Sequence, residues 1–393
     1  MAKEKAPEST RERLDSLKRE SVAGDTPVGP AGDAKAAERI KKAANASQRS
    51  LATKKKVIGE DAESPKGPVG LDIGTTHIVL AQNKPNYIET IQDLNAFFTV
   101  PSAKFAEQIL DQKEVMYYER DNEYYIFGYS AESFANMFHG NTRRPMREGF
   151  LSPDEEEGLS VIKAIVNGLI QKPKKFGETL CFIIPGEPLD GTGSVIYHES
   201  VIKGFLGSLG YSPLSINEGM AVVVSELPED DFTGIGISMG GGMCNVCLSY
   251  LSFPVITYSI QMAGDYIDTM VATAVGEPAT KIKVIKEEEL DLTREPKDRV
   301  TTALNIFYDE LIFKLLESLQ RVLSSTDKIP KIKTAIPIVL SGGTAIPKGC
   351  RERFEKMLKN VSLPVEISTV RLAEDLLNAP AKGALTMAMT EAE

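Results

Sequence analysis

Apolar and polar positions follow one another along this chain in a way that predicts a succession of strands and helices after residue 66. Short β-branched and apolar runs at 69–73, 180–185, 234–239 and 336–340 are typical of buried strands. Apolar residues recur every three to four positions in the predicted helices, which span 154–171, 194–210, 263–275 and 296–324. The alternation indicates an α/β layered fold.

Three glycine-rich turns follow such strands, in the sequences VGLDIGTT (69–76), GIGISMGGGMCN (234–245) and IVLSGGTAIPKG (338–349). Glycine lets backbone N–H groups approach a phosphate closely, so three such turns in one chain predict a nucleotide held between two lobes. The first turn connects two strands of a hairpin. It therefore differs from the strand-to-helix P-loop, and the Walker-type families are excluded.

The first turn carries the polar groups that a nucleotide site needs. Asp72 lies beside amides that would cradle phosphate, and the phosphate would repel its carboxylate unless a cation stood between them. Asp72 therefore implies Mg²⁺ held through water. Gly74, Thr75 and Thr76 would donate N–H and hydroxyl groups to the phosphates. The alternative is an Asx-turn, in which Asp72 stabilises an ordinary hairpin.

The second turn lacks the side-chain oxygens expected of a catalytic loop. Ser238, Met243 and Cys244 stand where such a loop would carry Asp or Thr. Their loss weakens metal positioning, on which phosphoryl transfer depends. The turn thus predicts phosphate binding without fast hydrolysis. Its backbone cradle would consist of Gly240, Gly241 and Gly242.

Two further features would border the predicted cleft. Glu218 precedes a predicted helix start, where its carboxylate either is a favourable charge at the helix N-terminus or orients an attacking water. The third turn contains Gly342, Gly343 and Thr344, which either let an adenine ring lie flat on the backbone or form a connection that needs small residues. Pro347 is expected to start the following helix.

Length and composition suit two domains with sizeable cores: the chain has 393 residues, 42% of them apolar, and a net charge of −10. We expect a cytoplasmic protein, because no run of about 18 apolar residues and no apolar signal region occur. We also expect no nucleic-acid partner. Four scattered cysteines suit a reducing compartment. Cys244 and Cys247 should face opposite sides of a strand and serve packing.

Residues 1–66 differ from the rest of the chain. They contain no Phe, Tyr or Trp, and their 15 Lys and Arg exceed their 11 Asp and Glu, which leaves about −14 for residues 67–393. So few large apolar groups cannot offset the entropy of ordering, and we expect a disordered, weakly basic tail. It is either a solvated tether or a weak contact to an anionic membrane surface or a protein partner.

The order of the motifs resembles that of the superfamily of actins, sugar kinases and heat-shock chaperone ATPases. Within it, the chain looks most like bacterial actins of the MreB and MamK kind. GLDIGTTH is similar to the first phosphate motif, GISMGGGMCNV to the second and IVLSGGTAIPKG to the adenosine motif. The segments 144–166 and 182–227 also resemble parts of MreB. The resemblance spans about residues 67–393 and leaves out the tail.

The resemblance implies a two-domain actin-like ATPase fold with a mixed five-stranded sheet in each domain. The first domain would span 67–220, with a small subdomain near 93–145 and a C-terminal return over 372–393. The second domain would span 221–371, with a reduced small subdomain. The domains would close over ATP or ADP with Mg²⁺.

The resemblance also implies roles for single residues. Asp72 would hold Mg²⁺ through water, and Glu218 would orient the attacking water. AGDYID (263–268) matches a family segment, which adds Gly264 and Asp265 to the nucleotide-binding residues. Lys283 keeps a place near the adenosine, although the acidic residue that the family has near Thr280 is replaced.

One departure concerns assembly. About 25 residues separate Val275 from Val300, where MreB-like proteins insert a subdomain roughly twice that size that makes longitudinal filament contacts. With the altered second turn, this favours a nucleotide-binding actin homologue with a cytoskeletal or scaffolding role, with slow or absent ATP hydrolysis and with filament formation in doubt. The alternatives are an active ATPase of the same fold that acts on partner proteins, and a non-polymerising pseudo-ATPase adaptor.

Overall fold

The structure is a computed structural model that describes residues 67–393 apart from ten positions: Glu114, His139, Pro153, Asp190, Thr192, Asp327, Lys328, Lys331, Lys333 and Glu393. The predictions for the tail, residues 1–66, lie outside the described residues.

The strands are β1 (Val69–Ile73), β2 (His77–Lys84), β3 (Tyr87–Leu94), β4 (Phe97–Pro101), β5 (Tyr117–Arg120), β6 (Glu123–Phe127), β7 (Met146–Arg147), β8 (Phe150–Leu151), β9 (Thr179–Ile184), β10 (Ser212–Asn217), β11 (Gly234–Met239), β12 (Cys244–Tyr250), β13 (Phe253–Ile260), β14 (Ile336–Ser341) and β15 (Ile367–Leu372). The helices are α1 (Lys104–Gln112), α2 (Tyr129–Met137), α3 (Gly158–Leu169), α4 (Val195–Ser208), α5 (Glu218–Glu226), α6 (Gly264–Val275), α7 (Ala279–Glu288), α8 (Arg299–Ser324), α9 (Cys350–Leu358) and α10 (Ala379–Ala392).

Two five-stranded mixed sheets form the centres of two domains. The first has the order β10-β9-β1-β2-β3, and the second has the order β13-β12-β11-β14-β15. In each sheet a central strand, β1 or β11, pairs antiparallel with the strand that follows it and parallel with a later strand. The second sheet thus repeats the arrangement of the first. The predicted fold class is confirmed.

Helix α8 shows how local sequence sets an element and its packing. Its first turn is closed by a capping box in which the Asp298 side chain accepts from Thr301 N, so the helix begins at Arg299 rather than at the predicted residue 296. Leu304, Phe307 and Leu311 are among the buried residues of one face, which packs into the core of the second domain. The helical periodicity therefore predicted the buried face correctly.

Small residues let two helices pack closely at the boundary between the domains. Helix α10 packs against β1, β9 and α5, and α5 packs against β11 and β12. A Cβ at Gly383 would collide with the backbone of Ala221, and one at Gly70 would collide with that of Ala381. Glycine at both positions therefore allows α10 to lie directly on the first domain.

A short segment after β9 crosses from the first domain to the edge strand of the second sheet. Leu189 N donates to Ser259 O at 3.0 Å, and Ser259 N donates to Glu187 O at 2.9 Å. The Ser259 hydroxyl donates to Gly186 O at 2.8 Å. This crossing segment, residues 186–189, joins the two sheets through main-chain hydrogen bonds.

Each domain carries a smaller insertion. In the first, β4, β6 and β5 form an antiparallel sheet that packs with α1 and α2. In the second, the stretch between Val275 and Arg299 contains the single helix α7 within the described residues. None of the described helices is long and apolar enough to cross a membrane.

Two local predictions have different outcomes. Cys244 lies in the main core of the second domain and Cys247 lies in the cluster around α5, so the prediction of opposite faces is confirmed. The prediction that Pro347 starts a helix is wrong, because α9 begins at Cys350. Gly349 precedes it with φ 89°, a left-handed conformation that separates the proline from the helix.

Candidate functional site

A cleft of about 270 Å³ lies between the two sheets. All fourteen residues predicted as site residues line it, although they come from six separate stretches of sequence. They are Asp72, Gly74, Thr75, Thr76, Glu218, Gly240, Gly241, Gly242, Gly264, Asp265, Lys283, Gly342, Gly343 and Thr344.

The first and second glycine turns are closed by their own backbone hydrogen bonds. Gly74 N donates to His77 O at 2.9 Å, and Gly240 N donates to Met243 O at 3.0 Å. These two glycines therefore shape the turns and do not offer N–H groups to a ligand. In the described part of the chain, the turn amides that donate to no protein atom are those of Thr75, Thr76, Gly241 and Gly242.

The two turns pack directly against each other, which explains why glycine is needed in the second. A Cβ at Gly242 would lie 2.8 Å from Gly149 N, and a Cβ at Gly241 would collide with the Thr76 hydroxyl. The Thr75 hydroxyl accepts from Gly149 N at 3.1 Å. The turn between β7 and β8 thus holds both glycine turns at one end of the cleft.

Met243 anchors the second turn in the first domain. Its side chain is 4% exposed and forms an apolar cluster with Phe150 and Val195, against which Ile184 packs. A Cβ at Gly149 would collide with it. Met243, which the sequence analysis places where a catalytic loop would carry Asp or Thr, therefore makes an apolar contact between the domains.

Two carboxylates, Asp72 and Glu218, face the same cleft. Burial, and next the charge of Glu218, raise the pKa of Asp72 well above its ordinary value. Burial raises the pKa of Glu218 to about 7, although a hydrogen bond from Ser238 acts in the opposite direction. Among the described residues, no N–H group donates to the Asp72 carboxylate, so the structure does not support the Asx-turn.

Asn245 contacts the cleft residue Glu218, and the sequence did not single it out. Its Nδ2 donates to Glu218 Oε2 at 2.5 Å, and its Oδ1 accepts from Gly186 N at 2.8 Å. It pairs across the strands with Ser238, which also contacts Glu218. Asparagine in a strand after a glycine turn carries no distinctive pattern, so only the fold reveals this contact.

A buried ion pair lies at the other end of the cleft. Lys286 Nζ donates to Asp268 Oδ2 at 2.8 Å and to Gly264 O at 3.0 Å, and both charged side chains are less than 10% exposed. The predicted Lys283 also lines the cleft, with its Nζ 3.9 Å from a carboxylate oxygen of Glu287. Lys286 lies one helical turn beyond Lys283, which is the signal that could have found it.

Thr344 connects the second and third turns. Its hydroxyl donates to Gly240 O at 2.7 Å, and its side chain is nearly fully buried. Gly342 has φ 93° and donates its N–H to Leu376 O at 2.7 Å. A β-branched residue would be strained at that φ. The third turn therefore fixes the wall of the cleft through its backbone.

A comparison with protein-family models assigns the chain to a family. The model of the family described as Volactin matches residues 68–388. The chain belongs to the Volactin family. No curated protein is significantly similar to it in sequence.

Solved structures show the fold of this Volactin-family chain. The MamK double helical filament matches with a TM-score of 0.62 and 17% identity, covering 82% of this chain and 98% of that one. MreB5 of Spiroplasma citri bound to ADP matches with a TM-score of 0.58 and 14% identity, covering 83% of this chain and 97% of that one. A non-polymerising MamK mutant bound to AMPPNP matches with a TM-score of 0.53 and 17% identity, covering 83% of this chain and 99% of that one. The Volactin-family chain therefore has the actin-like ATPase fold of bacterial actin-like proteins.

Proposed function

We propose that this protein binds ATP or ADP with Mg²⁺ in the cleft between its domains, hydrolyses ATP slowly or not at all, and acts in the cell as a cytoskeletal or scaffolding protein. The observation that carries the proposal is the convergence of the three glycine turns on one cleft. The amides of Thr75, Thr76, Gly241 and Gly242 would hold the phosphates. The MamK and MreB5 structures of the same fold were solved with AMPPNP and ADP, which supports this choice of ligand.

We also propose the domain boundaries that the sequence predicts. The first domain comprises residues 67–220 with the small subdomain near 93–145 and the return over 372–393, and the second comprises 221–371. Lys283 and Lys286 would lie on the adenosine side, and Gly342, Gly343 and Thr344 would form its backbone wall.

The donor set fits a magnesium ion. Asp72 provides hard carboxylate oxygens that can hold the ion through water, and a cation would relieve the repulsion that helps to raise the pKa of Asp72. Mg²⁺ would neutralise charge on the phosphates. The described residues contain no group of three or more His, Cys, Asp or Glu side chains that could hold a metal by themselves, so the proposal keeps water between Asp72 and the ion.

Slow hydrolysis follows from the second turn. Glu218 is the residue we assign to orient water, and it is partly protonated near neutral pH because burial raises its pKa to about 7. Ser238 contributes a hydroxyl where a catalytic loop would be expected to carry Asp or Thr. The site therefore offers few groups that stabilise a phosphoryl-transfer transition state.

Calorimetric titration with AMPPNP, with and without Mg²⁺, tests the binding proposal. We expect binding that Mg²⁺ strengthens, and at least about tenfold weaker Mg²⁺-dependent binding in Asp72→Asn, because one ion-stabilising charge is lost. Asp111→Asn, a surface change in α1, is the matched control and should bind like the wild type. Absence of binding to the folded wild-type protein would refute the proposal.

Phosphate release separates the slow or inactive protein from the alternative of an active ATPase that acts on partners. We expect at most a few turnovers per minute, on the order of 10⁻² s⁻¹. Faster turnover that Glu218→Ala abolishes would favour the active enzyme.

Filament formation is the part of the proposal that has less support. Helix α7 is a small insertion at the place where MreB-like proteins carry a subdomain. The similarity to the MamK filament favours assembly. Sedimentation and negative-stain microscopy with Mg²⁺-ATP test it, and Asp72→Asn should assemble less. If no polymer forms, the adaptor alternative gains support. Deletion of residues 1–66 then shows whether the tail binds partners, contacts an anionic membrane surface or is a tether.

A further inference from the structure

Ser238 and Asn245 occupy neighbouring positions on β11 and β12, and both contact one carboxylate. They are a cross-strand pair in the antiparallel ladder, and both side chains are almost fully buried. Ser238 donates a hydrogen bond to Glu218, and Asn245 Nδ2 donates to Glu218 Oε2 at 2.5 Å. Two donors from the second glycine motif therefore converge on a residue of α5.

The backbone fixes the orientation of the Asn245 amide. Gly186 N lies 2.8 Å from Asn245 Oδ1, and a backbone N–H can only donate, so this atom of Asn245 must be the carbonyl oxygen. The amide nitrogen is then the atom that faces Glu218. An aspartate at 245 could still accept from Gly186 N, but its second oxygen would oppose the Glu218 carboxylate.

The environment of Glu218 makes these donors necessary. Burial favours a protonated Glu218 carboxyl group, whereas hydrogen bonds donated to the ionised form favour the carboxylate. A carboxylate at 238 would add a third acidic group beside Asp72 and Glu218. Serine at this position lacks an oxygen that would position a metal, but it donates a hydrogen bond to Glu218.

We propose that Ser238 and Asn245 form a donor pair that holds the Glu218 carboxylate in place at the cleft, as positioning residues for the water-orienting group. The inference rests on the proposed function for the role of Glu218, but the donor pair itself is a property of the protein without nucleotide. It makes the second glycine motif a support for Glu218 and not only a phosphate cradle.

The experiment measures the ionisation of Glu218 directly. Full-length protein labelled with ¹³C at the glutamate side-chain carboxyl is titrated by NMR, and the signal missing in Glu218→Gln identifies the residue. We expect Ser238→Ala and Asn245→Asp each to raise the Glu218 pKa by about one unit. Ser249→Ala removes an equally buried hydroxyl on β12 that donates to Phe232 O, and it should leave the titration unchanged.

Three outcomes decide the proposal. An unchanged Glu218 titration in both variants overturns it and leaves the contacts as ordinary buried hydrogen bonds. Raised values in both variants, together with lower turnover and unchanged AMPPNP affinity, support the positioning role. Raised values in a protein that does not bind Mg²⁺-AMPPNP support the donor pair and refute the proposed function instead. If Asn245→Asp fails to fold, Asn245→Ala removes the donor without adding charge, and Ser238→Ala provides the second measurement.

Discussion

Arg144 of the first domain and Asp265 of the second form an ion pair between the domains, with Arg144 Nη1 2.8 Å from Asp265 Oδ2. Asp265 is one of the predicted nucleotide-binding residues, so the structure gives its carboxylate a second role. Both side chains are partly exposed, and the pair lies near the first turn of α6. The pair ties together the two walls between which a ligand would lie.

We predict that Arg144→Gln speeds nucleotide release, because one contact between the domains is lost. The coupling energy with Asp265→Asn in a double-mutant cycle should be about 0.5 to 1 kcal/mol, since partly exposed pairs contribute little. Stopped-flow displacement of a fluorescent nucleotide measures the release. Arg143→Gln is the control, because Arg143 pairs with Glu155 inside the first domain and should leave release unchanged.

A second prediction concerns Met243. Met243→Ala should lower the free energy of unfolding by about 2 to 4 kcal/mol, because it empties an apolar cluster between the domains. Denaturant unfolding measures this change, and Met243→Leu, which keeps the volume, should cost less than about 1.5 kcal/mol. Equal losses in the two variants would show that the methionine does not fill this space.

The third prediction is a pH dependence of stability. Glu218 has an ordinary pKa of 4.5 in the unfolded chain and about 7 in the native protein, so the native state holds more protons between these values. Its contribution therefore makes stability fall as pH rises from about 4.5 to about 7. Thermal unfolding should show that Glu218→Gln is progressively more stable than the wild type over this window, by about 1 to 3 kcal/mol at its upper end. A difference that does not change with pH would contradict the raised pKa.

A fourth prediction tests the buried ion pair. Lys286→Met should destabilise the protein by about 3 to 5 kcal/mol, because the Asp268 carboxylate would be left buried without its partner. Lys286→Met with Asp268→Leu should recover much of this loss, as replacing both charges removes the desolvation penalty. Denaturant titrations of the single and double variants measure these changes in the free energy of unfolding. Lys281→Met, on the exposed side of α7, is the control.

The sequence predicted the fold and the cleft because both depend on local patterns. Glycine after a β-branched strand marks a turn wherever the strand lies, and the order of three such turns fixes which ends of the sheets meet. The same patterns could not reveal Asn245, Arg144 or Asp268. Their roles depend on side chains from distant segments, and each residue type is common on strands, loops and helices.

The start of α9 shows a different limit. Proline suits a first helical turn, but Gly349 takes a left-handed conformation and α9 begins after it at Cys350. The conformation of a glycine is set by what packs around it. Here a Cβ at Gly349 would lie 3.0 Å from Thr293 N, a contact that the sequence cannot show.

The crossing segment 186–189 sets a condition on the exchange of any ligand. Opening the cleft on that side would break two backbone hydrogen bonds to Ser259 and the bond from Gly186 N to Asn245. Each lost bond would cost about 0.5 to 1.5 kcal/mol, so this side of the cleft resists opening. A ligand would therefore exchange through the side of the cleft that the crossing segment does not span.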